Sequence, residues 1–69
     1  MNIINNPRNY NTSESDWWFV FDEEINTIVV PVIQCSGNTT SPYTLVIGTS
    51  EEECNNYIEE NNIKQIVLS

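Results

Sequence analysis

A 69-residue chain makes one domain and buries only about 60% of the surface its unfolded form exposes, so its core is thin. Ten carboxylates and eleven asparagines stand against two basic groups, Arg8 and Lys64, for a formal net charge of −8, while 39% hydrophobic residues are too many for a disordered acidic tail. Such a surface lacks the clustered cations that neutralise phosphate and repels nucleic acid within the Debye length of about 8 Å, which excludes direct nucleic-acid binding.

Residues 1–16 hold Asn2, Asn5, Asn6, Asn9 and Asn11 together with Pro7 and hydroxyl residues. That is turn chemistry without a sustained period, and the spacing predicts an irregular arm, pinned in places by Ile3, Ile4 and Tyr10. The opening ten residues lack the basic start and apolar centre of a signal peptide. No stretch approaches the roughly 20 apolar residues of a membrane span, so no membrane partner and a cytoplasmic location are expected. Residues 17–69 form the body of the single domain 1–69.

Trp17, Trp18, Phe19, Val20 and Phe21 are consecutive aromatic or β-branched residues and predict a strand, stopped by Asp22, Glu23 and Glu24. Thr27 to Cys35 predicts a second strand joined to the first as a hairpin. Pro31 has no amide hydrogen and must face out from an edge or sit at a bulge. Residues 36–42 are turn formers and predict a loop, and Tyr43 to Ile47 predicts a third strand ended by Gly48.

The period then changes. Ser50 or Thr49 suits the N-cap of a helix, with Glu53 or Glu52 three residues on and negative charge where the helix dipole favours it. Cys54, Tyr57, Ile58 and Asn61 fall on one face. Asn62 suits the left-handed closing position, with Ile63 folding back on Ile58, and residues 64–68 predict a short last strand. The fold class is α+β: a three- to four-stranded sheet in β-β-β-α-β order with one helix on one face. The last strand should run parallel to the third, docked beside either the first or the third.

Strand alternation puts Trp17, Phe19 and Phe21 on one sheet face and Trp18 and Val20 on the other. Ile28, Val30 and Val32 share a face, opposed by Val29, Ile33 and Cys35, and Val46 opposes Tyr43, Leu45 and Ile47. Both faces are apolar, yet one helix covers only one of them. Leaving the second wet would expose a patch larger than soluble monomers tolerate. The residues 1–16, a second copy of the chain or a different protein are the available covers. Burying Trp18, Val20 and Val30 is worth about 5 kcal/mol before entropic costs. Trp17, Trp18, Val20, Ile28, Val30, Val32 and Val46 are therefore the candidate interface, and Asp16, Asp22, Glu23, Glu24, Glu51 and Glu52 its acidic rim.

Chemistry of other kinds is poorly provided for. The chain has no histidine, glycine-rich loop or metal-ligand spacing, so neither enzymatic activity nor a metal or other cofactor is expected. Residues 22–26 lack the spacing and glycine of a calcium loop. Cys35 and Cys54 are expected to be reduced, with a bridge between them sterically open. The triplets at Asn11 and Asn38 matter as glycosylation acceptors only in an exported chain.

The stretch from Trp18 to Glu23, followed by Thr49 to Asn61 with its acidic first helical turn, resembles small bacteriophage accessory proteins built from a hairpin and a helix. Those usually carry alanine where Cys54 stands and a tighter hairpin. The resemblance covers about half of the chain and implies a phage-encoded protein in host cytoplasm that binds and inhibits a host protein, or else decorates a virion. Composition and resemblance together lead to a non-enzymatic protein–protein interaction module with a basic or apolar protein partner, or with itself as a homodimer. A minor virion component and a nucleic-acid mimic are the alternatives.

Overall fold

The aromatic run becomes a central strand. The computed structural model describes residues 1–65, with β1 (Asn2–Asn5), β2 (Tyr10–Thr12), β3 (Trp17–Asp22), β4 (Thr27–Gln34), β5 (Gly37–Thr39), β6 (Thr44–Gly48) and α1 (Glu51–Glu60). One antiparallel sheet has the order β1-β6-β3-β4, and β2 and β5 form a separate two-stranded ribbon. The fold is therefore small α+β, with the single described helix packed on the four-stranded sheet.

Alternation along β3 divides the core in two. Phe19 and Phe21 join Ile28, Val46, Cys54, Ile58 and Ile63 beneath the helix, with Trp17, Val32 and Tyr57 at the margin. The rings of Phe19 and Phe21 each lie about 6 Å from that of Tyr57, tilted rather than stacked, as aromatic quadrupoles prefer. On the other face Val20, Leu45 and Ile47 are buried against Ile4, Tyr10, Trp18 and Val30.

That second face is covered by the chain itself, which corrects the expectation of an irregular arm at 1–16. β1 pairs along the otherwise bare edge of β6, from Asn2 opposite Ile47 to Asn5 opposite Thr44. Asn6 and Asn9 take left-handed φ values of 52° and 56°, turning the chain around a buried Pro7 so that Tyr10 returns across the sheet. Asparagine tolerates that conformation where most residues do not. The expected loop at 36–42 is partly strand as well, since Gly37–Thr39 pairs with Tyr10–Thr12. The ribbon is stitched down through one carbonyl: the Thr12 hydroxyl and the Trp18 indole N–H both donate to Cys35 O, at 2.9 and 3.1 Å.

Strand β4 departs from plain alternation. Its partners on β3 step from Trp18–Ile33 to Val20–Val30 and then to Phe21–Ile28, so β4 carries one extra residue at each of two irregularities. Pro31 falls within the first, where no amide is demanded of it. Val30 is thereby turned to the face opposite Ile28 and Val32, contrary to the expectation that the three share one face.

Local chemistry sets the helix ends. Ser50 is the N-cap, its hydroxyl accepting from the Glu53 N–H at 3.1 Å, while the Glu53 carboxylate reaches Thr49 rather than Ser50. At the far end Asn62 has φ 53°, Ile63 N–H donates to Ile58 O and Asn62 N–H to Glu59 O, which is a Schellman closure. Asn61 is exposed rather than part of the packed face, and its side chain donates to Tyr57 O. A Cβ on Gly48 would stand 3.1 Å from Cys54 Sγ, so the missing side chain lets the helix start close to the sheet.

Past the helix the chain returns beside β4, with a parallel bridge between Lys64 and Thr27, and not beside the first or third predicted strand. The reason is occupancy: β3 is paired on both sides and β6 is closed by β3 and β1, so neither has a free edge, whereas β4 does. Of the predicted last strand at 64–68, residues 66–68 lie outside the described residues.

Two substitutions test this account of the helix. Ser50→Ala removes the only side-chain acceptor at the N-cap and should lower stability by about 1 kcal/mol, whereas Asn62→Gly relieves the left-handed position and should be neutral or slightly stabilising. Urea unfolding followed by tryptophan fluorescence distinguishes these results.

Candidate functional site

The β3–β4 turn is fixed from within. Asp22 Oδ1 accepts from the Glu24 N–H at 3.0 Å, the Thr27 hydroxyl donates to Ile25 O at 3.0 Å, and Asn26 takes a left-handed φ of 51°. Glu23, Glu24 and Ile25 are consequently held out in solvent, Ile25 with 61% of its surface exposed. Asn26 also fastens the turn to the helix, its side-chain amide donating to the carbonyls of Asn61 and Asn62 at 3.1 and 2.9 Å.

Register then brings distant residues to the same end of the sheet. Phe21 and Asn5 both pair with Thr44, whose hydroxyl donates to Asn5 Oδ1 at 3.1 Å. Tyr43 precedes Thr44, with its N–H held by Ser41 Oγ and its carbonyl by the Asn6 N–H. Asn5, Asn6, Asp22, Glu23, Glu24 and Tyr43 line an open cleft of about 430 Å³ that also touches Pro42. Glu59 and Glu60, in the last turn of the helix, lie towards this end through the Asn26 bridge. Five carboxylates therefore lie towards one end of the fold, and Lys64 lies there too, bridged to Thr27 and lining one hollow with Glu59.

The seven candidate interface residues do not form one continuous surface. Val20, Ile28 and Val46 are buried core residues. Trp17 and Val32 sit half-buried at the edge of the helix-side cluster, and Trp18 and Val30 at the edge of the ribbon-side cluster, so the seven residues divide between two faces. The candidate rim also divides. Asp22, Glu23 and Glu24 mark one end of β3, while Asp16 precedes its other end and Glu51 and Glu52 open the helix that follows Gly48, the partner of Trp17. Asp16 has a local task, its carboxylate accepting from the Ser13 N–H at 2.8 Å.

Tyr43, Pro42, Asn5 and Asn6 were not singled out by their sequence context. Tyr43 reads there as one more strand residue in phase with Leu45 and Ile47. The available signal was Pro42, which stops the strand before Tyr43 and leaves that ring at the sheet margin.

Both cysteines are free thiols, so the bridge left open by the sequence is not formed. Cys54 is fully buried with Sγ donating to Trp17 O at 3.4 Å, and its burial pushes the thiol up from its ordinary range. Among the described residues no group of three His, Cys, Asp or Glu side chains is arranged to hold a metal, and no helix is long and apolar enough to cross a membrane.

Glu53 is the carboxylate most committed to structure. The Thr49 hydroxyl donates to it at 2.7 Å and the Thr49 N–H adds a second bond, holding its pKa below the ordinary 4.5, with the Met1 amine 3.4 Å away as a lesser influence.

Comparison with protein-family models, curated proteins and solved structures gave no match.

Two measurements check the roles assigned here. Because folding lowers the Glu53 pKa, its contribution to stability is complete above the ordinary 4.5 and is lost as pH falls through the folded value. Thr49→Val should move the Glu53 carboxyl titration upward in NMR and flatten the loss of stability on the acid side. A thiol reagent added to the native protein should label half-buried Cys35 first and Cys54 only as the chain unfolds.

Proposed function

We propose that this chain is a small acidic, non-enzymatic protein–protein interaction module whose working surface is the end of the sheet around Tyr43. The observation that carries this reading is the convergence there of Asp22, Glu23 and Glu24 with an exposed aromatic ring and exposed Pro42. An acidic field accelerates encounter with a basic partner, and an aromatic anchor supplies contact area at small entropic loss.

Rigidity adds support. The turn at 22–27 and the segment at 41–44 are tied by hydrogen bonds in the free chain, so little ordering remains to be done on binding. Both faces of the sheet already have cover from α1, β1 and the ribbon, so the partner is not required to complete the core. This shifts the proposed site from a sheet face to a sheet end. In the setting implied by the phage resemblance, the partner is a host protein that the module inhibits or redirects.

A photo-crosslinking residue at position 43, compared with one at position 56 on the exposed side of the helix, tests the proposal in a bacterial lysate. A discrete adduct from position 43 that is absent from position 56 is expected. Replacing Asp22, Glu23 and Glu24 by their amides should weaken capture by about tenfold at low salt and less at high salt. Equal crosslinking from both positions, or none from 43, would reject this surface.

A further inference from the structure

The cleft beside Tyr43 has an apolar continuation. On the other side of Pro42 and Tyr43 a groove of about 380 Å³ runs between the ribbon and the sheet, with Trp18, Val20, Val29 and Val30 among its lining residues. Pro42 and Tyr43 line both hollows, so the acidic cleft and the apolar groove meet at these two residues. The groove exists because the ribbon is short and its cover incomplete: β2 and β5 have three residues each, against eight in β4. Its indole is held in place by the bond from Trp18 Nε1 to Cys35 O, and Val29 is left 42% exposed where β4 bulges.

We propose that the cleft and groove together bind an extended, amphipathic basic segment of a partner protein, with an apolar side chain in the groove and lysine or arginine against Asp22, Glu23 and Glu24. This inference rests on the interaction-module reading and specifies the chemistry of the partner. Charge complementarity selects the occupant: none of the residues lining either hollow is cationic, and the acidic end supplies three carboxylates. A second copy of this chain is a poor fit, because a formal charge of −8 would meet another −8. Strand geometry sets the spacing. Val20 and Asp22 are two residues apart on β3 and Trp18 and Asp22 four, or about 7 and 13 Å at 3.3 Å per residue, so the apolar and basic positions of an extended partner should also stand two to four residues apart.

The test is an NMR titration of the full chain with synthetic peptides, capped at both ends, that carry one leucine with lysines two and four residues away. Both chain directions are made, and serine and threonine fill the other positions. Controls replace the leucine by serine or both lysines by glutamine. Saturable shifts are expected at the Trp18 indole N–H and the amides of Val30, Tyr43 and Glu24, with each control at least about tenfold weaker. Tyr43→Ser, at a position already partly exposed, should weaken the leucine peptide by about tenfold while leaving the spectrum of the core unchanged.

Shifts confined to residues 22–24 and equal for the serine control would overturn the proposal as charge attraction alone. So would the absence of any shift at millimolar peptide. Concentration-dependent shifts at the groove without peptide would overturn it in favour of a second copy. If the peptides fail while crosslinking from position 43 persists, the amphipathic basic partner is rejected and the interaction module stands; failure of both rejects the module.

Discussion

A strand with two apolar faces, in a chain with one described helix, is the constraint from which the rest of this structure follows. Phe19 and Phe21 can be buried only on the side opposite Val20, so each face of β3 needs its own cover. The helix supplies one. The other has to come from segments rich in asparagine, serine and threonine, where Ile4 and Tyr10 are the side chains available for packing. Such segments gain little by burial, so they are secured by backbone pairing and by hydrogen bonds to Cys35 O. Trp18 is shared between these roles: its ring packs on the ribbon-side core while its N–H satisfies the carbonyl that also receives Thr12.

The parts of the fold that were legible in the sequence are those determined by neighbours along the chain. Ser50, Asn62 and Ile63 act through contacts within five residues, and their roles read directly from residue type. The aromatic strand, its hairpin and the bulge at Pro31 are similarly local. β1, β2 and β5 are not, because three or four residues flanked by asparagine have no period to detect. Their strand character is conferred by the partners they meet, β6 for β1 and one another for β2 and β5. Val30 shows the same limit in another form. A hydrophobic pattern reports which residues seek burial but not how many extra residues a bulged strand contains, and each extra residue reverses the face of those beyond it.

The candidate site was legible only in its charges. Asp22, Glu23 and Glu24 stand out as an acidic stop after an apolar run, but the cleft they share with Asn5, Asn6 and Tyr43 depends on the pairings of β1 with β6 and β6 with β3. The seven residues of the apolar interface divide between two faces for a related reason. Strand residues that look surplus to one helix are absorbed once a second layer is present. What remained open was the seam where that second layer ends.

The carboxylates can be sorted by what they do within the fold. Glu53 holds Thr49, Asp16 holds the Ser13 amide and Asp22 holds the Glu24 amide, while Glu51 and Glu52 lie where the helix dipole favours negative charge. Glu59 and Glu60 are different. They occupy the last helical turn, where the dipole opposes them and the turn itself holds no basic residue, although Lys64 lines one hollow with Glu59. Through Asn26 that turn is joined to the hairpin carrying Glu23 and Glu24, so like charges accumulate where folding alone gives them no advantage. On the reading proposed above, a basic partner would be drawn to these carboxylates, and that attraction would weaken as salt is raised.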